Sequence, residues 1–209
     1  MSTRINKINN IYLVDSGAQY LDGTTDITRT IILGESSDEQ KDRFTRVLKG
    51  HIALAVAKFN KNTRGSEIDY IARKSLQEIN CDYNHGTGHG IGSFLGVHEG
   101  PQRIYKSKKH KDAYLEPGMI LSNEPGFYKT NEYGIRIENL VIVVKDKNNK
   151  LTFETISWAP IDRDLILVNQ LNYFEKKWVN EYHDKVYANI ARYLTIKEKG
   201  WLKKVTQPL

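Results

Sequence analysis

Four carboxylates and three imidazoles stand where the surrounding pattern implies a backbone shaped around them: Asp15, Asp26, Glu124 and Glu138, with His85, His89 and His98. The stretch IYLVDSGAQYLDGTTDITRTIIL, residues 11 to 33, opens on the apolar run Ile11 to Val14 and closes on a β-prone run from Thr28 to Leu33. Asp22-Gly23 between them favours chain reversal. The pattern predicts an antiparallel hairpin in which Asp15 ends the first strand and Asp26 lies on the returning one. Such a hairpin brings together two acids that are distant in sequence, and two close carboxylates repel unless a cation compensates them. The competing reading makes Asp15, Asp22 and Asp26 turn and strand-end residues satisfied by backbone N–H groups. This stretch alone does not decide between the two.

The segment NHGTGHGIGSFLGVHEG, residues 84 to 100, holds His85, His89 and His98, half of the six histidines. Glycine at this density is costly in a regular element and implies close approach of backbone to something. Clustered histidine is a metal or catalytic signal. Further on, Met119 to Glu124 reads as a short apolar strand ending in an acid before Pro125-Gly126. In the strand predicted from Gly134 to Val144, alternation puts Arg136, Glu138 and Leu140 on one face and Ile135, Ile137 and Asn139 on the other. A Glu in such a strand is expensive unless paired or metal-bound; the plainer alternative is an Arg136–Glu138 pair on a solvated face.

Collected, Asp15, Asp26, His89, Glu124 and Glu138 offer carboxylate oxygens and one imidazole nitrogen, without thiolate. That set suits Mn²⁺, Co²⁺ or Zn²⁺, and its acid count suits two ions sharing bridging groups.

The elements that must position these residues are legible in outline. Ser36 to Glu39 reads as a helix start, followed by Phe44, Leu48, Ile52, Ala55, Val56 and Phe59 at helical spacing. Ser66-x-x-Asp69 opens a second helix with Ile68, Ile71, Ala72, Leu76 and Ile79 on its buried side. Both read as packing elements without chemistry. Asp146 to Lys150 reads as a turn, and Leu151 to Ile156 as a returning strand. From about Asp162 the character becomes helical, with Leu171, Phe174, Trp178, Tyr182, Val186 and Ile190 recurring and Thr195-x-x-Glu198 shaped as a capping box. The expected division is 1–160, carrying the candidate acids and histidines, and 161–209, a helical extension that covers it or joins two copies as a homodimer.

The 209 residues, with 39% hydrophobic and 27% charged, suffice for a buried core. No apolar run approaches the ~20 residues that span a bilayer, and MSTRINKINN lacks the apolar core of an export signal. With Cys81 as the single cysteine, a disulfide framework within the chain is excluded. These absences lead to the expectation of a cytoplasmic protein without membrane attachment. A net charge of +6 invites a nucleic-acid reading. The basic residues are dispersed, however, and the run Lys106, Lys108, Lys109, His110, Lys111 reads as a solvated loop. No interleaved aromatic and basic stripe is visible, so no nucleic-acid partner is expected.

In order, DSGAQYLDGTTDITRT, HGTGHGIGSFLGVHEGP, SNEPGFY and GIRIENLV resemble the pita-bread metallopeptidases, and within them the long type of Xaa-Pro aminopeptidase. The resemblance runs from about residue 11 to residue 160, and the tail resembles that type's C-terminal extension. It implies an α+β, partial pita-bread fold: a curved antiparallel sheet backed by helices, with a helical tail. Asp15, Asp26 and Glu138 would hold one divalent ion, and Asp26, His89, Glu124 and Glu138 the other, most simply Mn²⁺. Glu124 would be the general base, His85 and His98 would steady the substrate, and Arg136 would hold a ligand carboxylate. The substrate implied is a peptide with proline in second position; a methionine aminopeptidase, a prolidase or an inactive binding module shares the pattern. Family members carry a first half-fold before the first Asp ligand, so the chain is expected to correspond to a C-terminal portion, truncated or split from an upstream half that would be its partner.

Overall fold

The hairpin forms as the sequence predicts, but it is longer. β1 (Asn10–Tyr20) and β2 (Gly23–Leu33) pair antiparallel from Asn10↔Leu33 to Tyr20↔Gly23, turning at Leu21-Asp22. Asp15 therefore does not end its strand: it pairs with Thr28, and β1 runs on through Gly17. The reason lies in Gly17, which sits opposite Asp26. A Cβ there would stand 2.9 Å from the Thr25 carbonyl oxygen and 4.0 Å from Asp26 Oδ1, so this glycine makes room inside a strand rather than bending the chain. The computed structural model describes residues 10–106 and 113–209. Lys108, Lys109, His110 and Lys111 of the expected basic loop lie outside the described residues; Lys106 pairs with Asp82 at 2.9 Å.

α1 (Asp38–Ala55) starts at Ser37, whose side chain and that of Gln40 form a reciprocal capping box, with Asp38 and Glu39 in the first turn. Phe44, Val47, Leu48 and Ile52 are buried along it, whereas Val56 lies past its end and is exposed. Phe59 belongs to the short β3 (Lys58–Phe59). α2 (Asp69–Gln77) follows a single 3₁₀ turn at Gly65–Glu67. It is more than a packing element, because Asp69 and Arg73 are both buried and pair at 2.6 Å.

β4 (Gly88–His89) pairs with β5 (Arg103–Ile104), and Gly90 bridges to Leu121. The close approach implied by the glycines occurs here: a Cβ at Gly88 would lie 2.1 Å from the Ser122 carbonyl oxygen. β6 (Ile120–Asn123) delivers Glu124, and β7 (Gly126–Lys129) pairs with β8 (Tyr133–Arg136). The expected single strand from Gly134 to Val144 is two. The chain leaves the β7 ladder at Ile137, whose N–H donates to the Pro125 carbonyl. It then touches β2 at Glu138, whose N–H donates to the Thr28 carbonyl. β9 (Asn139–Lys145) begins only after that crossing, and β10 (Leu151–Thr155) returns beside it. The four-stranded sheet runs β3-β10-β9-β6, and every strand pairing in the described residues is antiparallel.

α3 (Tyr173–Ile190) and α4 (Ile196–Val205) both open on capping boxes, Asn172 with Glu175 and Thr195 with Glu198. Leu171, Val179, Tyr182, Val186 and Leu202 bury into the same core as Phe44 and Leu48 of α1, while Phe174 faces out. Each such aliphatic burial is worth ~1.5–3 kcal/mol, so the tail is held by packing rather than by helix propensity. Among the described residues no helix is long and apolar enough to cross a membrane.

Candidate metal centre

Strand alternation sets Asp15 and Gly17 of β1 and Asp26 and Thr28 of β2 on one face of the hairpin. Against this face come His89 from β4, Glu124 from the end of β6 and Glu138 from the β8–β9 crossing. Ligand atoms of Asp26, His89 and Glu138 all lie within 4.8 Å of one another. His89 Nε2 stands 3.5 Å from Asp26 Oδ2 and 3.3 Å from Glu124 Oε1. His89 Nδ1 lies 3.1 Å from the Gly90 carbonyl oxygen, which places the proton on Nδ1 and turns the Nε2 lone pair towards the acids.

The electrostatics of this arrangement call for a cation. Glu138 is only 1% exposed, and burial together with the Glu124 charge pushes its pKa up to about 8. Thr28 Oγ1 donates to Glu138 Oε2 at 2.6 Å and opposes that rise. Burial likewise raises Glu124, against the pull of His89 and of Ser122 Oγ, which donates to Oε1 at 3.1 Å. Burial disfavours the charged imidazole of His89, but the Asp26 and Glu124 carboxylates outweigh it and its pKa is raised. Three acids and an imidazole with an inward lone pair are short of positive charge, and hard oxygen donors with one nitrogen fit a divalent ion such as Mn²⁺, Co²⁺ or Zn²⁺.

Asp15 stands outside the tight group. Its carboxylate is half exposed and takes Arg136 Nη2 at 2.6 Å. Arg136 does not form the alternative pair with Glu138; it also donates to Thr28 Oγ1 at 3.1 Å and to Tyr128 OH at 2.8 Å. His98 does not join the donors either, and its ring meets that of His89 edge-on at 4.2 Å between centroids. His85 lies across the opening, with Nε2 2.9 Å from Tyr128 OH and Nδ1 2.7 Å from the Gly86 carbonyl oxygen. Burial lowers its pKa, so it is neutral near pH 7.

A second buried network supports this wall. Arg73 donates to Asp69, to Asp82 and to the carbonyls of Tyr83 and His85, while its guanidinium lies 3.9 Å from the Tyr83 ring centroid. Thr28, Ser122 and Tyr128 touch the candidate residues and were not singled out individually by the sequence reading. Thr28 and Ser122 were findable, since each lies two positions from an acid on the same strand face.

The pattern of Metallopeptidase family M24 matches residues 2–145, and that of the C-terminal region of peptidase M24 matches residues 149–209. Among curated proteins, the chain is 45% identical over 207 residues to aminopeptidase P1 of Arabidopsis thaliana, covering 95% of this chain and 32% of the relative. It is 48% identical to a probable Xaa-Pro aminopeptidase P of Coprinopsis cinerea, covering 97% and 34%. Among solved structures, the X-prolyl aminopeptidase of Caenorhabditis elegans, described as a cytosolic enzyme with a di-nuclear active site, superposes with a TM-score of 0.90. Its identity is 38%, over 95% of this chain and 34% of that one. The chain thus spans about a third of the length of the curated relatives it matches. The expected α+β, partial pita-bread architecture agrees with these likenesses. The chain belongs to metallopeptidase family M24.

Proposed function

We propose that this chain carries the dinuclear metal centre of an aminopeptidase that releases the N-terminal residue from peptides with proline in second position. The observation that carries the reading is the convergence of Asp26, His89 and Glu138 within 4.8 Å, with Glu124 3.3 Å from His89. The names of the relatives support the substrate class. Because those relatives are about three times as long, the activity is proposed for these residues in the setting of a polypeptide of that length.

In this reading Asp15, Asp26 and Glu138 would hold one divalent ion, and Asp26, His89, Glu124 and Glu138 a second, Mn²⁺ being the first candidate. When bound, such ions polarise the scissile carbonyl and lower the pKa of water towards ~7. Glu124 takes the proton of the attacking water and returns it to the proline nitrogen as that bond breaks, a role open to a carboxylate that Ser122 Oγ holds beside the centre at 3.1 Å. His85 and His98 steady the substrate beside the centre, His85 with its Nδ1–H held on the Gly86 carbonyl. Arg136 holds Asp15 at 2.6 Å and so fixes a carboxylate that is otherwise half exposed. Residues 1–160 would hold the centre, with 161–209 packed behind it. A cytoplasmic setting is part of the same proposal, supported by the cytosolic worm enzyme.

A dipeptidase reading shares the donor set, and an Xaa-Pro dipeptidase of Bacillus anthracis superposes with a TM-score of 0.61 over 72% of this chain. The TM-score of 0.90 over 95% of the chain favours the aminopeptidase. The test is to load the protein with Mn²⁺ and offer Xaa-Pro-Xaa, Xaa-Pro and Met-initiated peptides. Release from the first class alone is expected; preferential cleavage of dipeptides or of Met-initiated peptides overturns the assignment.

A further inference from the structure

Arg29 is buried one position along β2 from Thr28, on the face of the strand opposite Asp26. Its guanidinium donates to the carbonyls of Thr28 at 2.8 Å, Glu138 at 2.6 Å, Ala159 at 2.9 Å and Pro160 at 2.9 Å. It also donates to Asn139 Oδ1 at 3.2 Å and to the Tyr182 hydroxyl at 2.7 Å. All of these acceptors are neutral. A buried cation without a carboxylate partner is expensive, and its field reaches its neighbours. Burial first and the Arg29 charge after it lower the pKa of His51, while burial, Arg163 and Arg29 do the same for His183. The shortest Arg29 bond runs to the main chain of Glu138, one of the acids of the centre.

Tyr182 closes the arrangement from α3. Its hydroxyl accepts from Arg29 Nη2 and from Asn139 Nδ2 at 2.9 Å, and donates to the Ala159 carbonyl at 2.9 Å. The Ala159 N–H also donates to it at 3.2 Å, so the hydroxyl gives one hydrogen bond and is approached by three donors. Asn139, next to Glu138, pairs in register with Asn123, next to Glu124. Asn123 in turn donates to the His51 carbonyl at 3.0 Å. Trp178, one turn before Tyr182, stacks on its ring at 5.2 Å and meets His51 edge-on at 5.8 Å. One aromatic pair on α3 therefore backs both asparagines that adjoin the acids.

We propose that Tyr182 is a positioning residue of the metal centre: through Arg29 and Asn139 it fixes the main chain at Glu138 and so the direction of that carboxylate. The inference rests on the metal-centre reading and deepens it, giving the C-terminal helical segment a share in ligand geometry. A segment that only packed would need the Tyr182 ring but not its hydroxyl, whose partners are Arg29, which itself bonds the Glu138 carbonyl, Asn139 next to Glu138, and the Ala159 main chain.

Tyr182→Phe keeps the ring and its stacking and removes one oxygen. His183→Gln, one residue on, disturbs a different bond from the same helix, that from the Ile161 N–H to His183 Nε2 at 3.1 Å. Mn²⁺ binding to the full chain is measured by titration calorimetry at neutral pH, with the thermal midpoint of each metal-free protein alongside. Both variants lower the midpoint, but Tyr182→Phe weakens Mn²⁺ binding about tenfold whereas His183→Gln stays within about twofold of the parent. Unchanged affinity in Tyr182→Phe, or an equal loss in both variants, reduces the hydroxyl to packing and overturns the proposal. A parent chain that binds no Mn²⁺ would remove the metal-centre reading itself, and this inference with it.

Discussion

The Thr28 hydroxyl donates to Glu138 at 2.6 Å and accepts from Arg136 Nε at 3.1 Å, so one oxygen joins the most deeply buried acid of the centre to the arginine that holds Asp15. A hydroxyl in this place polarises both bonds at once. Thr28→Val keeps the shape and removes both. The buried carboxylate then lacks its donor, a loss of about 1–3 kcal/mol in the metal-free protein. Mn²⁺ affinity should also fall about tenfold, as for other residues that orient a ligand. Denaturant titration and calorimetry on the same preparation check the two effects.

Asp26 is the acid that faces both His89 and the hairpin interior. After Mn²⁺ loading and desalting, the parent should retain up to two ions per chain. Asp26→Ala should lose most of them by elemental analysis, because a shared ligand serves both positions. Unchanged stoichiometry in this variant would exclude a centre built around Asp26.

Glu124→Gln preserves volume while removing the proton acceptor and one ligand charge. In any preparation that cleaves Xaa-Pro-Xaa peptides, turnover should drop by roughly 10²–10⁴. His98→Ala should retain bound metal and lose rate. A His98→Ala protein that has lost its metal would place that histidine among the ligands.

Acid lability offers an independent check away from the centre. His183 is fully buried as a neutral ring, and its pKa is lowered to about 4 by burial and by the Arg163 and Arg29 charges. The unfolded chain takes up a proton near pH 6.5 and the folded one only near 4, so the unfolded state gains as pH falls. The neutral ring's contribution is complete above pH 6.5 and declines from there towards pH 4, by up to about 3 kcal/mol. His183→Gln should flatten the stability–pH curve in this window relative to the parent. The difference between the two curves cancels the opposite trend from Glu138, whose raised pKa favours the metal-free fold as pH falls from 8.

The five candidate ligands were legible because each sits in a short stretch with its own local reason: a hairpin face, a glycine-dense loop, a strand end. The strand runs on past Asp15, against expectation, because Gly17 clears space opposite Asp26 instead of ending the strand. The strand through Glu138 reads as unbroken in the sequence because its apolar alternation survives the break: Ile135 and Ile137 are both fully buried on either side of the transfer from one ladder to another. Asp69 and Arg73 gave no sign of burial, since an acid in a helix's first turn is what exposed helices also show. The contact between Arg29 and Tyr182 spans 153 positions, and no local pattern encodes a partner that far away.

The core shared by α1 and the C-terminal helices has an energetic corollary. If Tyr182 helps to hold Glu138, then by reciprocity an ion that binds the centre holds α3. Occupancy at a hundredfold excess over Kd adds about 2.7 kcal/mol to the folded state. Amide hydrogens from Val179 to Val186, on a helix that touches no ion, should then exchange more slowly with Mn²⁺ than without it. Docking of the tail and filling of the centre become two readings of one opening equilibrium.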